Sequence, residues 1–291
     1  MKLVEIFFPI IFLAGLGYIF GKFKKFDLRS LTELVIYLTG PSLMFTYLAR
    51  RTFVLNDFAY LAVGTAFVIL ASGIIVYLAL KLGRVSPATD YYMPSLFMNS
   101  SFIGFPIALF AFGQAGLSDM IIYDLVNTFF ILTLGIWLLT RRERSWEIFK
   151  LPHLYVATLA IFCSARSIVI PDIIYQPLKM LGEATIPLML FALGYRLNIL
   201  KVRQLTPALV ISGFRIGLGF ILAVIFVTLF RVPDLTGKII ILGSSLPCAV
   251  SAFIFSEKFG LESELAASAV MVSTLISIIT LPLILIFLGS Y

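Results

Sequence analysis

Long runs of apolar residues, separated by short polar stretches, make up most of the chain. The runs are continuous, whereas the strands of a membrane β-barrel alternate apolar and polar residues. A helix needs about 20 apolar residues to cross the hydrocarbon core of a bilayer. The pattern therefore predicts an all-α integral membrane protein with ten transmembrane helices, at 4–21, 31–49, 58–80, 91–112, 119–140, 152–169, 175–195, 206–230, 237–256 and 264–288.

The composition supports a membrane environment. Hydrophobic residues make up 60% of the chain and charged residues 13%, and the mean hydropathy is +1.06. Soluble domains contain roughly 45–50% apolar and about 25% charged residues. This chain has too few polar side chains to cover a surface in water, so the lipid bilayer is its expected surrounding.

Lysine and arginine are unevenly distributed between the loops. The odd-numbered loops hold fourteen of them and the opposite side holds six. Positive charge accumulates on the cytoplasmic side of membrane proteins. The count predicts cytoplasmic odd-numbered loops, with both termini outside the cytoplasm. The net charge of +7 is explained by these short clusters, so we expect no nucleic-acid partner.

The two halves of the chain resemble each other at an offset near 145 residues. The matching positions are Pro9 with Pro152, Pro41 with Pro187, Pro106 with Pro247, and Asn127-Thr128 with Ser273-Thr274. Five spans in each half would place the halves in opposite orientations, which is a common plan in secondary transporters. The sequence therefore predicts a first repeat at 1–140, a cytoplasmic linker at 141–151 and an inverted second repeat at 152–291. Chance remains an alternative, because prolines are frequent in transmembrane helices.

Proline and polar residues interrupt the fourth and ninth predicted spans. Proline removes a helical hydrogen bond, and an unsatisfied backbone group is costly in lipid. Breaks at Pro106 and Pro247 would meet near the bilayer midplane and present free N–H groups that suit a carboxylate. The alternative is a kinked structural helix whose hydroxyls bond to neighbouring helices. The candidate substrate-binding residues are Asn99, Ser100, Ser101, Gly104, Pro106, Asn127, Thr128, Ser244, Ser245, Pro247 and Ser251.

A few charged residues lie inside predicted spans, where charge is expensive. Arg215 could be a counter-ion or coupling residue, could extend to the headgroups, or could form a structural ion pair. Asp124 lies one helical turn before Asn127 and could take a proton or Na⁺ as the coupling ion. Lys179 and Glu183 are four residues apart and can pair, which is more often a structural feature. With a single histidine, His153, no histidine-rich metal site is expected.

The motifs then resemble a known family. NSSFIGFP (99–106), PSLMF (41–45), ATIPLMLFALGYRL (184–197) and AFIFSEKFGLESELAASAVMVSTLISIITLPL (252–283) resemble spans of the auxin efflux carrier family. The resemblance implies ten spans in two inverted repeats and a fold like that of the bile-acid:sodium symporters. It also implies a scaffold of helices 1, 2, 6 and 7, a transport domain of helices 3–5 and 8–10, elevator-like movement of organic anions, and often a homodimer. The short loop after the fifth span resembles prokaryotic members, which are associated with malate, malonate and related carboxylates.

The expected function is secondary transport of a small organic anion across the cell membrane, with no cofactor other than a coupling ion. No GxxxxGK[ST] loop is present, so ATP hydrolysis is not expected. The HExxH and GxSxG patterns of two enzyme classes are also absent. A channel, a receptor or sensor, and an intramembrane enzyme are the alternatives.

Overall fold

The computed structural model describes residues 2–51, 54–85, 89–140, 152–259 and 263–289. In these ranges the chain is helical, with a single isolated β-bridge and no longer strand. The predicted linker at 141–151 lies outside the described residues. The helices are α1 (Lys2–Phe23), α2 (28–49), α3 (Leu55–Leu82), α4 (Thr89–Leu96), α5 (Ser100–Thr140), α6 (Pro152–Ala165), α7 (Asp172–Ile199), α8 (Leu205–Phe230), α9 (Asp234–Ser244), α10 (Val250–Lys258) and α11 (Ser263–Phe287).

Within the described residues, six helical segments are long and apolar enough to cross a membrane. They are Leu3–Phe23 of α1 and the whole of α3, α5, α7, α8 and α11. Many of their large apolar side chains face outwards, which in lipid carries no penalty. The chain is therefore a multi-pass membrane protein. The count of ten spans and the inverted repeat remain predictions.

Helix α5 corrects one boundary predicted from the sequence. A loop was expected at 113–118, between two predicted spans, but residues 114–118 are helical and the chain kinks at Gly113 alone. Gly113 has φ 68° and ψ −158°, a conformation that is essentially open only to glycine. One residue therefore separates a first arm of α5 (100–112) from a second arm (114–140).

The helices pack in two groups. In the first group, α1 packs against α7, and α2 packs against both α6 and α7. In the second group, α3, α4, α5, α8, α9, α10 and α11 pack chiefly against one another. Contacts between the groups are made mainly by α5, which touches α1, α2 and α7. The described helices thus form two bundles that share a limited interface.

Two interruptions meet inside the second group. Helix α4 ends at Leu96 and α5 begins at Ser100, while α9 ends at Ser244 and α10 begins at Val250. The connecting segments run antiparallel. The Asn99 N–H donates to the Pro247 carbonyl at 2.9 Å, and the Ala249 N–H donates to the Phe97 carbonyl at 2.9 Å. We call this antiparallel contact of residues 97–99 with 247–249 the crossing.

The first interruption does not lie at Pro106, so that prediction was wrong. The break is at 97–99, and Pro106 sits inside the first turns of α5. Residues Ser100–Gly104 are π-helical, and the Phe105 N–H bonds to the Ser100 carbonyl. Proline is tolerated inside a membrane helix where a local π-helical adjustment accommodates it, and the π-helical turn directly before Pro106 has this role. Pro247 does lie in a non-helical segment, as predicted.

Candidate functional site

A cavity of about 440 Å³ lies beside the crossing. Its walls come from α2, the second arm of α5, α10 and the crossing itself. This volume is within the usual range for small-molecule sites, about 300–1,000 Å³. The predicted site residues that line the cavity are Asn99, Ser101, Asp124, Asn127, Thr128 and Ser251.

Two helices begin at this cavity. The first arm of α5 starts at Ser100 and α10 starts at Val250, and residues from both starts line the wall. The first N–H groups of a helix have no intrahelical acceptor, and each helix start carries about half a positive charge. Two such starts on one cavity make a favourable place for an anion.

Polar atoms without partners surround the same cavity. The Asn99 Nδ2, the Asn127 Oδ1 and the Ser251 Oγ are buried and have no hydrogen-bond partner among the described residues. Asn99 is only 3% exposed. A buried polar group left without a partner costs about 1–3 kcal/mol. Their position on the cavity wall therefore indicates that a ligand, an ion or water satisfies them.

Asp124 is held in a short network below the α5 start. The Ser100 hydroxyl donates to Asp124 at 2.6 Å, and the Asn127 amide donates to the Ser100 Oγ at 2.9 Å and to the Met98 carbonyl at 2.8 Å. Asp124 is buried, and among the described residues no cation pairs with it. The sequence prediction that Asp124 and Asn127 share a face is confirmed.

Sequence reasoning missed most of the cavity wall. Ile36 and Tyr37 of α2, Ile131 of the second arm of α5, and Phe255 and Lys258 of α10 all line it. The apolar and aromatic residues among them resemble those of every other predicted span. Nothing in their local sequence therefore distinguishes a cavity wall from a lipid-facing side. Lys258 falls between the ninth and tenth predicted spans, in a predicted loop, although it lies on α10 two turns beyond Val250.

Other predicted residues lie near the crossing without lining the cavity. Ser244 and Ser245 are buried at the end of α9, where the Ser244 hydroxyl is 3.0 Å from the Tyr123 hydroxyl and the Ser245 hydroxyl donates to the Ile241 carbonyl at 2.6 Å. Gly104 faces Leu246 and Met120. Pro106 and Pro247 belong to the backbone framework described above.

Arg215 is 1% exposed, so it does not extend to the headgroups. It lies in a π-helical turn of α8, Phe214–Leu218. Its guanidinium donates to the Leu96 carbonyl at 2.8 Å and to the Ser244 carbonyl, which are the last residues of α4 and α9. No carboxylate within the described ranges forms an ion pair with it. The alternative of a structural ion pair therefore finds no support among the described residues.

Lys179 and Glu183 lie elsewhere. Their side chains pair at 3.7 Å on an exposed part of α7, and neither lines the cavity. Exposed pairs of this kind contribute about 0–1 kcal/mol. This arrangement is consistent with a structural role for the pair.

An ion-pair cluster lies just beyond the last residue of α2. Arg51, which follows α2, pairs with the buried Asp119 at the start of the second arm of α5, and lies 3.8 Å from Asp57 of α3. The Ser164 hydroxyl of α6 donates to the Arg51 carbonyl. Arg51 is thus fixed to the first helix group while its side chain binds carboxylates of the second.

Comparisons with known proteins assign the family. Residues 2–150 and 144–285 match the family described as membrane transport protein. The chain is 30% identical to an uncharacterized transporter of Methanothermobacter thermautotrophicus, over 97% of both chains. It is 26% identical to an uncharacterized transporter of Methanocaldococcus jannaschii, over 96% of this chain and 97% of the relative.

A third relative carries a substrate in its name. It is a Rhizobium meliloti protein named "Putative malonate transporter", 24% identical over 99% of this chain and 95% of the relative. The matches confirm both the resemblance predicted from the motifs and the expectation of a transporter rather than an enzyme. The chain therefore belongs to the membrane transport protein family, the auxin efflux carrier family.

Proposed function

We propose that this protein is a secondary transporter for a small carboxylate anion, which binds at the crossing. The observation that carries the proposal is the pair of helix starts, at Ser100 and Val250, on one cavity. Each contributes about half a positive charge, so together they balance one carboxylate. The unpartnered Asn99 Nδ2 supplies a directed donor beside them.

The residues that line the cavity are consistent with a small carboxylate substrate. Most of the wall is apolar, and the polar groups concentrate at the crossing. Lys258 on the wall adds positive charge, which raises the local concentration of anions. The name of the Rhizobium relative makes malonate the first substrate to test.

The proposed architecture has ten spans in two inverted repeats. The 41 residues of α5 would extend for about 60 Å as a straight helix, twice the thickness of the hydrocarbon core of about 30 Å. The kink at Gly113 lets α5 supply two membrane spans instead of one. The antiparallel crossing of two interrupted segments is the arrangement expected at the interface of inverted repeats.

The proposed movement is of the elevator type. The first helix group, α1, α2, α6 and α7, would be the scaffold, and the remaining helices would carry the crossing as a transport domain. The separate packing of the two groups supports this division. The cavity is lined by parts of α2, α5 and α10 that lead to the odd-numbered loops, whereas the Arg51 cluster follows the opposite end of α2 and joins the two groups. The described conformation is then open towards the cytoplasm, in the cell membrane, with both termini outside.

Asp124 is the proposed site of the coupling ion, which is H⁺ or Na⁺. A buried carboxylate without a cation beside it is unfavourable in its charged form. A proton or Na⁺ would remove this penalty, and the unpartnered Asn127 Oδ1 nearby is a suitable oxygen ligand. A homodimer remains an expectation from the family resemblance.

The test begins with purified protein and a thermal-shift panel of acetate, malonate, succinate, malate and benzoate, with and without Na⁺. A ligand that binds the folded state raises the melting temperature. Uptake of the stabilising carboxylate is then measured in proteoliposomes, with malonate as the first probe. Wild-type protein is expected to accumulate it in a saturable, gradient-dependent way.

Asn99→Ala is the decisive variant, and Asn56→Ala is its matched control. Asn56 is exposed near the start of α3 and lines no part of the cavity. Loss of a hydrogen bond to a charged ligand is worth about 1.5–3 kcal/mol, so Asn99→Ala should weaken malonate affinity roughly 10- to 100-fold. Unchanged affinity in Asn99→Ala, or flux that is neither saturable nor gradient-coupled, as in a channel, would overturn the proposal.

A further inference from the structure

Arg215 joins two helix ends that belong to different halves of the chain. From α8, its guanidinium reaches the carbonyls of Leu96, the last residue of α4, and Ser244, the last residue of α9. It is also 3.5 Å from the Ser95 carbonyl. The π-helical turn at Phe214–Leu218 adds one residue to the turn and so sets the direction of this side chain.

The charge of Arg215 is balanced by these helix ends. The C-terminal end of a helix carries about half a negative charge, so two ends together offset about one guanidinium. Among the described residues no carboxylate takes that role. The crossing therefore has a cation at its two helix ends and, on its other side, two helix starts that face the cavity.

We propose that Arg215 is a positioning residue that fixes the two halves of the crossing relative to each other. Among the described residues, two backbone hydrogen bonds, from Asn99 and Ala249, join the crossing segments directly. By holding the ends of α4 and α9 together, Arg215 keeps the starts of α5 and α10 at a fixed distance from each other. It acts on the site through the backbone and does not touch the cavity.

Gly219 offers a way to disturb this contact without removing the charge. It lies one turn beyond Arg215 on α8, and a Cβ there would collide with the Ser244 carbonyl and with the Arg215 Nη2. Gly217 lies on the same helix, and a Cβ there would meet nothing within 4 Å. Gly219→Ala and Gly217→Ala are therefore a matched pair.

The test is hydrogen–deuterium exchange of the protein in lipid nanodiscs, read by mass spectrometry on peptides covering 94–101 and 245–252. It compares wild type with Arg215→Met, Arg215→Lys, Gly219→Ala and Gly217→Ala. We expect exchange at both peptides to accelerate at least about tenfold in Arg215→Met and Gly219→Ala, because hydrogen bonds to a charged donor are lost. Arg215→Lys should restore most of the protection, and Gly217→Ala should match wild type.

Two outcomes would overturn the proposal. One is unchanged exchange at both peptides in Gly219→Ala. This variant retains every charged group, so the test can still be made if Arg215→Met fails to fold. The other is an equal loss of protection in α1 and α7, which would report general destabilisation, because the hydrogen bonds of the Arg215 side chain go to the ends of α4 and α9. The measurement needs no substrate, so its failure is distinct from a failure of the proposed transport function. Asn99→Ala, by contrast, should weaken malonate binding without exposing the ends of α4 and α9.

Discussion

The polar residues at the crossing differ in whether their buried polar atoms have hydrogen-bond partners within the protein. Ser100 and Ser245 have acceptors within the fold, so they contribute to structure. Asn99 and Asn127 each keep one buried polar atom without a partner. Since such atoms cost about 1–3 kcal/mol each, their retention at a cavity is better explained by transport than by stability.

Asp124 should couple transport to an ion gradient. In Asp124→Asn the side chain keeps its shape and can still accept the Ser100 hydrogen bond, but it can no longer be charged. We expect malonate binding to stay within about a few-fold of wild type, because the helix starts are intact, while stimulation of uptake by a Na⁺ or pH gradient is lost. Uptake is measured with each gradient imposed separately.

Asp234→Asn is the control for this prediction, because Asp234 is exposed and pairs with Lys238 on the surface. It should leave both binding and gradient stimulation unchanged. If Asp124→Asn responds to the same gradient as wild type, Asp124 is not the coupling residue.

At the scale of secondary structure, the sequence located the interrupted helices but misplaced one break. Pro106 attracted the prediction because proline is the best-known helix breaker. The break instead ends at Asn99, the residue before the helix start at Ser100, and asparagine and serine are typical residues at helix starts. That signal was present in the sequence, whereas the π-helical turn that accommodates Pro106 depends on packing and leaves no clear trace there.

Gly113 should be intolerant of any side chain. Its backbone conformation, φ 68° and ψ −158°, costs a residue with a Cβ about 1–3 kcal/mol. Gly113→Ala should therefore lower the melting temperature of the detergent-solubilised protein by several degrees, roughly in line with that cost.

Gly15→Ala is the matched control, since Gly15 is inside α1 and a Cβ there meets nothing within 4 Å. It should be neutral or slightly stabilising, because alanine favours helix over glycine. Equal melting temperatures for Gly113→Ala and wild type would show that the kink is not held by this conformation.

At the scale of the whole molecule, the two helix groups are joined by packing contacts of α5 and by the ion pairs of Arg51. Through Arg51, the end of α2 is held to α6 by the Ser164 hydroxyl and to α3 and α5 by two carboxylates. Under the proposed elevator movement the two groups slide past each other, which would break the Arg51–Asp119 ion pair that joins them. The pair should therefore influence the balance between the two conformations more than the affinity for substrate.

Charge reversal tests this role. Arg51→Asp and Asp119→Arg should each reduce malonate uptake strongly, because each leaves a buried charge facing a like charge. The double variant should recover a large part of the rate, with an interaction energy of about 1 kcal/mol or more in the double-mutant cycle. Strictly additive effects of the two substitutions would contradict a role for the pair.

The walls of the cavity could not be predicted from the sequence. The polar residues at the crossing were found because they are rare inside apolar runs. Tyr37 and Phe255 come from helices of different groups, and only tertiary packing brings them to one wall. Likewise, the sequence gives no sign of the contact between Arg51 and Asp119, because 67 positions separate them along the chain.

The most direct test is a cryo-EM reconstruction of the protein in nanodiscs with saturating malonate, or with whichever carboxylate the thermal-shift panel selects. The account predicts density for the anion in the cavity, with one carboxylate at about 3 Å from backbone nitrogens at the starts of both α5 and α10 and from the Asn99 Nδ2. Density for the transported carboxylate at any other place, with these groups facing only water, would contradict it.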